Sequence, residues 1–452
     1  MSTPSPAELD TLLPATQRAA AEWLATLGTR AAAATPAAAP ALPARGIGAD
    51  AALALLRDRI EPHLSASPGP RYWGFVTGGA TPAALAGDWL ASAYDQNASH
   101  DGGSIAATIE REAVAGLRTL FGMTDVHAGW FTSGGTGSNI ASLAAARHAL
   151  LARRGHDAAE LGLDGAPRIR VLAGSAHASI GKALAILGIG RRALVPVATR
   201  RGRTAVDIDA METALAASDA PTILVASAGE VNTGDFDDLA ALAQLARAHD
   251  AWLHVDGAFG LFATLDPEHA EKLAGIDAAD SITVDLHKWL NVPYDSGVVF
   301  TRHAAALRAV FRSTAAYLGE SDDPLHHVAE NSRRFRALPA WMTLAAYGRD
   351  GIATWVARHN ALARKLGTGI AALPAFELLD EVRLNIVCFA LRTGGTDARD
   401  ALLARLATDG RVYLTPTVLH GRPAIRAALA NWRTEAADVD IALAAFTDAV
   451  RG

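Results

Sequence analysis

Cysteine is all but missing from this sequence: Cys388 stands alone in 452 residues. A disulfide framework and a cysteine zinc cluster are thereby excluded. Long apolar runs are missing as well. No stretch of about 18 uninterrupted apolar residues occurs, so no segment is expected to span a membrane. The opening residues, MSTPSPAELDTLLPATQ, lack a basic region followed by an apolar one and do not read as a secretory signal. Nor is there an excess of basic charge. Lys and Arg total 41 against 47 Asp and Glu, a net charge of -6, which gives no support for a nucleic-acid or membrane-surface partner. Charged residues make up 19% and hydrophobic ones 50%, the balance of a chain that folds around a large core. The expectation is a cytoplasmic protein of two or three domains.

What is present is order along the chain. Residues 5–30 carry leucines and alanines near a 3.6 period and read as a helix. An alanine-proline strap, 31–45, and a short helix, 51–60, follow. Such an arm cannot bury itself alone and is expected to pack on another subunit or across its own large domain. The loop PRYWGFVTGGATP (70–82) sets Trp73 and Phe75 among glycines, which suits a pocket wall and a plain packed turn equally. Helices are expected over 83–94 and 105–121. From about Gly129, short apolar strands alternate with helices, including strands at 222–225 and 252–256 and a helix at 239–249. This pattern predicts a mostly parallel sheet covered on both faces, with ligands at the carboxyl ends of its strands. After Arg302 come helices at 304–311, 338–366, 398–408 and 435–450 and strands at 383–391 and 412–419, a smaller α+β unit. The expected division is an arm over 1–65, a large domain over 66–315 and a small domain over 316–452.

Three motifs carry chemistry, each just after a strand. In TSGGTGSN (132–139), glycines and hydroxyls end a strand and open a helix, whose bare N–H groups bind phosphate as readily as they cap an ordinary helix. In HVDGA (254–258), Asp256 ends a strand and small residues follow, so a flat ligand can approach. An aspartate there can keep a pyridine nitrogen protonated; a metal-binding role is the rival, without a second ligand at the usual spacing. In SITVDLHKWLNVPYDSGVVF (281–300), Lys288 lies between two apolar strand-like pieces. A lysine so placed either snorkels out beside Trp289 or gives up its proton and forms an imine with an aldehyde. His177, in SAHASIGKA, either stacks on a flat ring or is structural. Taken together, a phosphate loop, a strand-end aspartate and a strand-end lysine specify pyridoxal 5'-phosphate far better than any one does.

On TSGGTGSN, AHAS (176–179), HVDGAFG (254–260), DLHKWLNVPYDSG (285–297), RRFRALPAWMTL (333–344) and LTPTVLHGRPAIRAALANWRT (414–434), the chain resembles the group II pyridoxal-phosphate decarboxylases. These include aromatic-L-amino-acid, glutamate and diaminobutyrate decarboxylases. The likeness runs from about residue 65 to the end. It implies an α/β, PLP fold type I (aspartate-aminotransferase-like) homodimer, with a mostly parallel central sheet, an N-terminal helical arm and a small C-terminal α+β domain. The active sites would lie at the subunit interface. It also implies roles. Lys288 is the Schiff-base lysine and Asp256 the partner of the pyridine nitrogen. His177 stacks on the ring and donates a proton. Gly135, Thr136 and His287 hold the phosphate, Ala258 lies under the ring, and Trp73 and Phe75 face the substrate side chain.

In one respect the chain departs from the resemblance. The stretch YLGESDDPLHHVAEN (317–331) has no tyrosine after Tyr317, where aromatic-type relatives carry a mobile catalytic one. His326 or His327 is the expected substitute. The expected reaction is decarboxylation of an L-amino acid to an amine. An aminotransferase or aldehyde synthase is the second enzyme reading, and a non-catalytic binding protein, which intact Lys288, Asp256 and His177 argue against, is the third. Arg334, Arg336 and Arg426 are candidates for a substrate carboxylate, although structural ion pairs are the commoner fate of arginines.

Overall fold

Two-residue periodicity sorts the side chains of the central strands into two cores. Phe131, Leu172, Leu224, Leu253, Val255, Ile282, Val284, Val298 and Phe300 pack on one face. Trp130, Val171, Ile223, Val225, Trp252 and Val299 pack on the other. The structure, a computed structural model, describes residues 5–35, 37–39, 41–313 and 322–451. Its central sheet has seven strands: β1 (Ala128–Thr132), β2 (Arg170–Ala173), β3 (Leu194–Pro196), β4 (Thr222–Ser227), β5 (Trp252–Asp256), β6 (Ser281–Asp285) and β7 (Gly297–Thr301). Their order is β1-β7-β6-β5-β4-β2-β3. β7 runs antiparallel to β1 and β6, and the other pairs are parallel. This is the mostly parallel, doubly covered α/β sheet that the sequence predicts.

A second sheet is antiparallel, in the order β10-β11-β9-β8, from β8 (Phe376–Leu378), β9 (Ile386–Leu391), β10 (Thr415–Leu419) and β11 (Arg422–Ala428). The long helix Ala337–Ala372 serves both units. Ala337, Ala340, Ile352 and Val356 belong to the core beneath the large sheet, and Leu362, Leu366 and Ile370 to the core of the small one. Its backbone breaks at Gly348, where φ is +57°, a conformation that favours glycine. A fully buried ion pair, Arg333 with Glu110 at 3.0 Å, anchors the segment entering this helix. Both partners also reach β1: Arg333 donates to the Phe131 carbonyl at 2.6 Å, and Glu110 accepts the Phe131 N–H at 3.1 Å.

The N-terminal arm is two helices, Glu8–Ala25 and Ala49–Arg59, the first shorter than the periodicity suggests. The strap between them is pinned at its start, the Ala32 N–H donating to the Gly410 carbonyl at 2.7 Å. Leu9 and Leu13 remain exposed. Beneath the arm lies a largely apolar cavity of about 640 Å³, lined by Trp23, Leu53, Leu56, Leu85, Trp89 and Tyr294 among others.

Candidate active site

Strand register brings the sequence motifs to one edge. Thr132, Gly297 and Asp285 share a row across β1, β7 and β6, and Ser227, Asp256 and Thr283 share the next across β4, β5 and β6. The turns leaving β1, β2, β5 and β6 therefore deliver Gly134, His177, Asp256 and Lys288 to the carboxyl ends of the parallel strands, where such sheets bind ligands.

The turn after β6 folds at once into a single helical turn, Leu286–Trp289, which places Asp285 and Lys288 on one side. Lys288 Nζ lies 3.0 Å from Asp285 Oδ2, with both side chains mostly buried. Asp285 Oδ1 accepts the Gly135 N–H at the start of the helix Gly135–Ala152, so one carboxylate joins the lysine to the glycine turn. That turn admits no side chain. Gly134 has φ +143°, a Cβ on Gly135 would fall 2.6 Å from Asp285 Oδ2, and one on Gly297 would fall 2.6 Å from Gly134 Cα. His287 packs against Tyr294 with ring centroids 4.4 Å apart and the planes tilted by 35°, and burial pushes its imidazole below the ordinary value. Its Nδ1 and the Ser296 hydroxyl are buried without a hydrogen-bond partner, polar groups of the kind a phosphate would satisfy.

On β5, Trp252, His254 and Asp256 share the face toward the helix Gly135–Ala152. Asn139, one turn into that helix, is the hub. Its Nδ2 donates to Asp256 Oδ2 at 3.3 Å and to Ser179 Oγ at 3.0 Å, and its Oδ1 meets His254 Nε2 at 2.9 Å. Trp252 donates its indole N–H to Ser281 Oγ at 2.9 Å, and Ser281 Oγ lies 3.0 Å from His254 Nδ1. The tautomers follow from these partners. His254 carries its proton on Nε2, toward the amide oxygen, and accepts at Nδ1. His177 Nδ1 accepts the Ser179 N–H at 3.3 Å and lies 2.7 Å from the Ser179 hydroxyl, which leaves Nε2 as the protonated nitrogen. Asp256 Oδ1 takes the Ala258 N–H at 3.2 Å. Burial pushes His177 down, opposed by Asp256 and reinforced by Lys288 and Arg426, so these four groups share one electrostatic site.

Beside His177 opens a polar cavity of about 730 Å³, walled by Phe75, Glu230, Asn232, Thr415 and Arg426 among others. Phe75 lies at its wall, exposed and at φ +58°. Trp73 does not. Its backbone N–H donates to the Tyr413 carbonyl at 2.9 Å and its own carbonyl accepts the Ala428 N–H at 3.0 Å. This pairing turns the indole fully into the core of the small unit. Arg426 reaches the cavity wall, donating to the Val231 carbonyl at 3.1 Å. Arg334 and Arg336 are tied elsewhere, to Asp88 at 2.6 Å and to Glu330 at 3.2 Å. Tyr317 lies outside the described residues. His326 and His327 are buried rather than presented to Lys288. His326 Nδ1 accepts the Ser313 N–H at 3.1 Å, and His327 stacks on Trp130 with centroids 4.1 Å apart.

A family profile, the pyridoxal-dependent decarboxylase conserved domain, matches residues 37–392. The chain belongs to this family. An aromatic-L-amino-acid decarboxylase of Bacillus atrophaeus is 28% identical over 81% of this chain and 78% of its own. The pig (Sus scrofa) aromatic-L-amino-acid decarboxylase is 30% identical, over 59% of this chain and 56% of its own, so the alignment spans about half of that enzyme. Catharanthus roseus tryptophan decarboxylase, solved in complex with L-tryptophan, superposes with a TM-score of 0.89 at 20% identity, over 100% of this chain and 99% of that one. At that identity the likeness speaks for the fold.

Pyridoxal phosphate fits the residues at this edge. The side-chain-free glycine turn, the unpartnered Ser296 and His287 groups, a buried aspartate fixed by two donors and a lysine with its own counter-ion are the parts that a phosphate, a pyridine nitrogen and an aldehyde require. Among the described residues, no helix is long and apolar enough to cross a membrane.

The buried imidazoles predict an acid limit to stability. Burial holds His254 down to about 4 and His359 down to about 3. His359 accepts the Trp289 indole N–H on Nδ1 at 2.8 Å and meets the Asn431 carbonyl through Nε2 at 2.8 Å, so no lone pair is left for a proton. Unfolding frees both rings to bind protons near pH 6.5. Their contribution is therefore complete above about pH 6.5 and is lost below it, at up to about 1.4 kcal/mol per histidine per pH step. The melting temperature should fall steadily from pH 6.5 toward pH 4.5; a rise over that range would contradict the assignment.

Proposed function

We propose that this chain decarboxylates an L-amino acid to its amine, with Lys288 as the residue that holds pyridoxal phosphate covalently. In this reading it works as a cytoplasmic homodimer with its sites at the subunit interface. The observation that carries the reading is the meeting of Lys288, paired to Asp285, with Asp256, fixed by Asn139, at one sheet edge beside a glycine turn. The dimer reading is supported by the apolar cavity under the arm, whose wall includes Tyr294, the residue packed against His287.

Bound pyridoxal phosphate supplies an electron sink for the pair left behind when the carboxylate departs as CO2. The chain does the rest. Gly135 and Thr136 at the helix start, with His287 and Ser296, would hold the phosphate. Asp256 keeps a proton on the ring nitrogen, and the Ala258 N–H and Asn139 amide keep that carboxylate in place. His177, at the cavity wall, would stack on the cofactor ring, with the proton on its Nε2 available for transfer. Arg426, at the cavity wall, offers a cation for a carboxylate.

The names of the relatives place aromatic L-amino acids first on a substrate panel. The polar wall of Glu230, Asn232 and Arg426 places polar and acidic ones beside them. The test is CO2 release by the reconstituted protein over that panel, with products identified by mass spectrometry. An amine is the expected product. A keto acid, or an aldehyde with ammonia, would replace the reading with the second one, and no CO2 from any candidate would overturn it.

A further inference from the structure

The turn that follows β5 holds a group of side chains that the reaction does not use. Asp266, Glu268 and His269 each offer one ligand atom, and these atoms lie within 4.8 Å of one another. Asp266 and His269 are buried, and Glu268 is exposed. Acidic groups alone would mean little. The imidazole is the telling part: His269 is 8% exposed, and both its ring nitrogens are buried without a hydrogen-bond partner. Leaving such groups unpaired is costly, and native structures seldom do so without an ion, a water or a function. His269 Nε2 faces Asp266 Oδ2 at 3.9 Å, too far for a hydrogen bond and short enough for both atoms to share a cation. A second unpartnered group adjoins. Asn360, fully buried on the long helix, donates Nδ2 to Asp266 Oδ2 at 2.7 Å and leaves its own Oδ1 without a partner.

We propose that Asp266, Glu268 and His269 bind one divalent transition-metal ion of the Zn2+ type. An imidazole with two carboxylates suits Zn2+, whereas Mg2+ and Ca2+ favour oxygen ligands throughout. The surrounding charges permit it. Arg364 Nη1 lies 3.2 Å from Glu268 Oε2 and leaves Oε1 for the ion. Lys272, on the next turn, donates its ammonium to the Arg383 carbonyl at 3.0 Å. The ion would brace the segment after β5 against the long helix. There Asn360 adjoins His359, which receives the indole N–H of Trp289, the neighbour of Lys288. The site is structural, and it stands independently of the reading of the reaction.

The test uses the full-length protein with its cofactor, stripped by a chelator and titrated with ZnCl2 by calorimetry and by thermal shift, with MgCl2 as the control. One Zn2+ per chain, with a melting temperature that rises as the ion binds, is expected. His269→Ala should weaken binding by about a hundredfold, and Glu268→Gln by about tenfold. Glu268 is exposed, so Glu268→Gln leaves the core intact, and its circular dichroism checks the fold where His269→Ala does not survive. Absence of stoichiometric Zn2+ binding would overturn the proposal. So would binding unchanged in both variants, or an equal response to Mg2+.

Discussion

Lys288→Ala abolishes CO2 release, by roughly three orders of magnitude or more, and removes the visible absorbance of covalently held cofactor in the same protein. No other amine can stand in. The chain has four lysines, at 182, 272, 288 and 365. Lys272 is bound to the Arg383 carbonyl at 3.0 Å and Lys365 to Asp440 at 2.6 Å, and Lys182 sits exposed on the helix Ala178–Ile186. The substitution also strips Asp285 of its ammonium partner. Asp285 retains the Gly135 N–H, so the turn keeps its anchor and the variant should remain folded. Turnover surviving at even a tenth of the parent rate would remove Lys288 from the role assigned to it.

Asp256→Asn separates electronics from attachment. The side chain keeps its size but can no longer carry the negative charge that holds a proton on a ring nitrogen. It also turns one acceptor into a donor, against the two N–H groups, from Asn139 and Ala258, that aim at this carboxylate. Turnover should fall by about a hundredfold to a thousandfold, a loss of roughly 3–4 kcal/mol of transition-state stabilisation. Absorbance from cofactor held through Lys288 should persist. A variant within threefold of the parent rate would show that the carboxylate does not act on the ring.

The central strands of the large sheet, β4, β5 and β6, were legible because each is apolar on both faces and bounded by turn residues, whereas the short, half-exposed edge strand β3 gave no such signal. β5 falls where the pattern 252–256 puts it, and β6 follows the alternation before Lys288 closely. Asp285 was within reach of the same reasoning, since it lies three residues before Lys288 on a helical turn. Asn139 was not. It sits inside the glycine motif, but its partners His254 and Asp256 are more than a hundred positions away, and local spacing carries no trace of them. Trp73 failed for a related reason. An aromatic beside glycines reads as a pocket wall until residues 413 and 428 pair across it and turn the ring inward. β11 was hidden by Pro423 and Arg426, which interrupt its alternation. Its position between β10 and β9 supplies the burial that its composition does not advertise.

The contact of Trp289 with His359, and of His359 with the Asn431 carbonyl, has a bearing on biosynthesis. Asn431 also holds the Pro68 carbonyl at 3.0 Å and the Gly69 carbonyl at 3.1 Å, so segments from both ends of the chain converge behind the lysine. During translation, all seven strands of the large sheet have left the ribosome with β7, but the helix Ala337–Ala372 that closes its core follows later, and the seat of Lys288 stays unbraced until residue 431 emerges. A nascent chain stalled before that point should hold its strands and lack a competent cofactor site, which makes cofactor capture a late event in the life of each molecule.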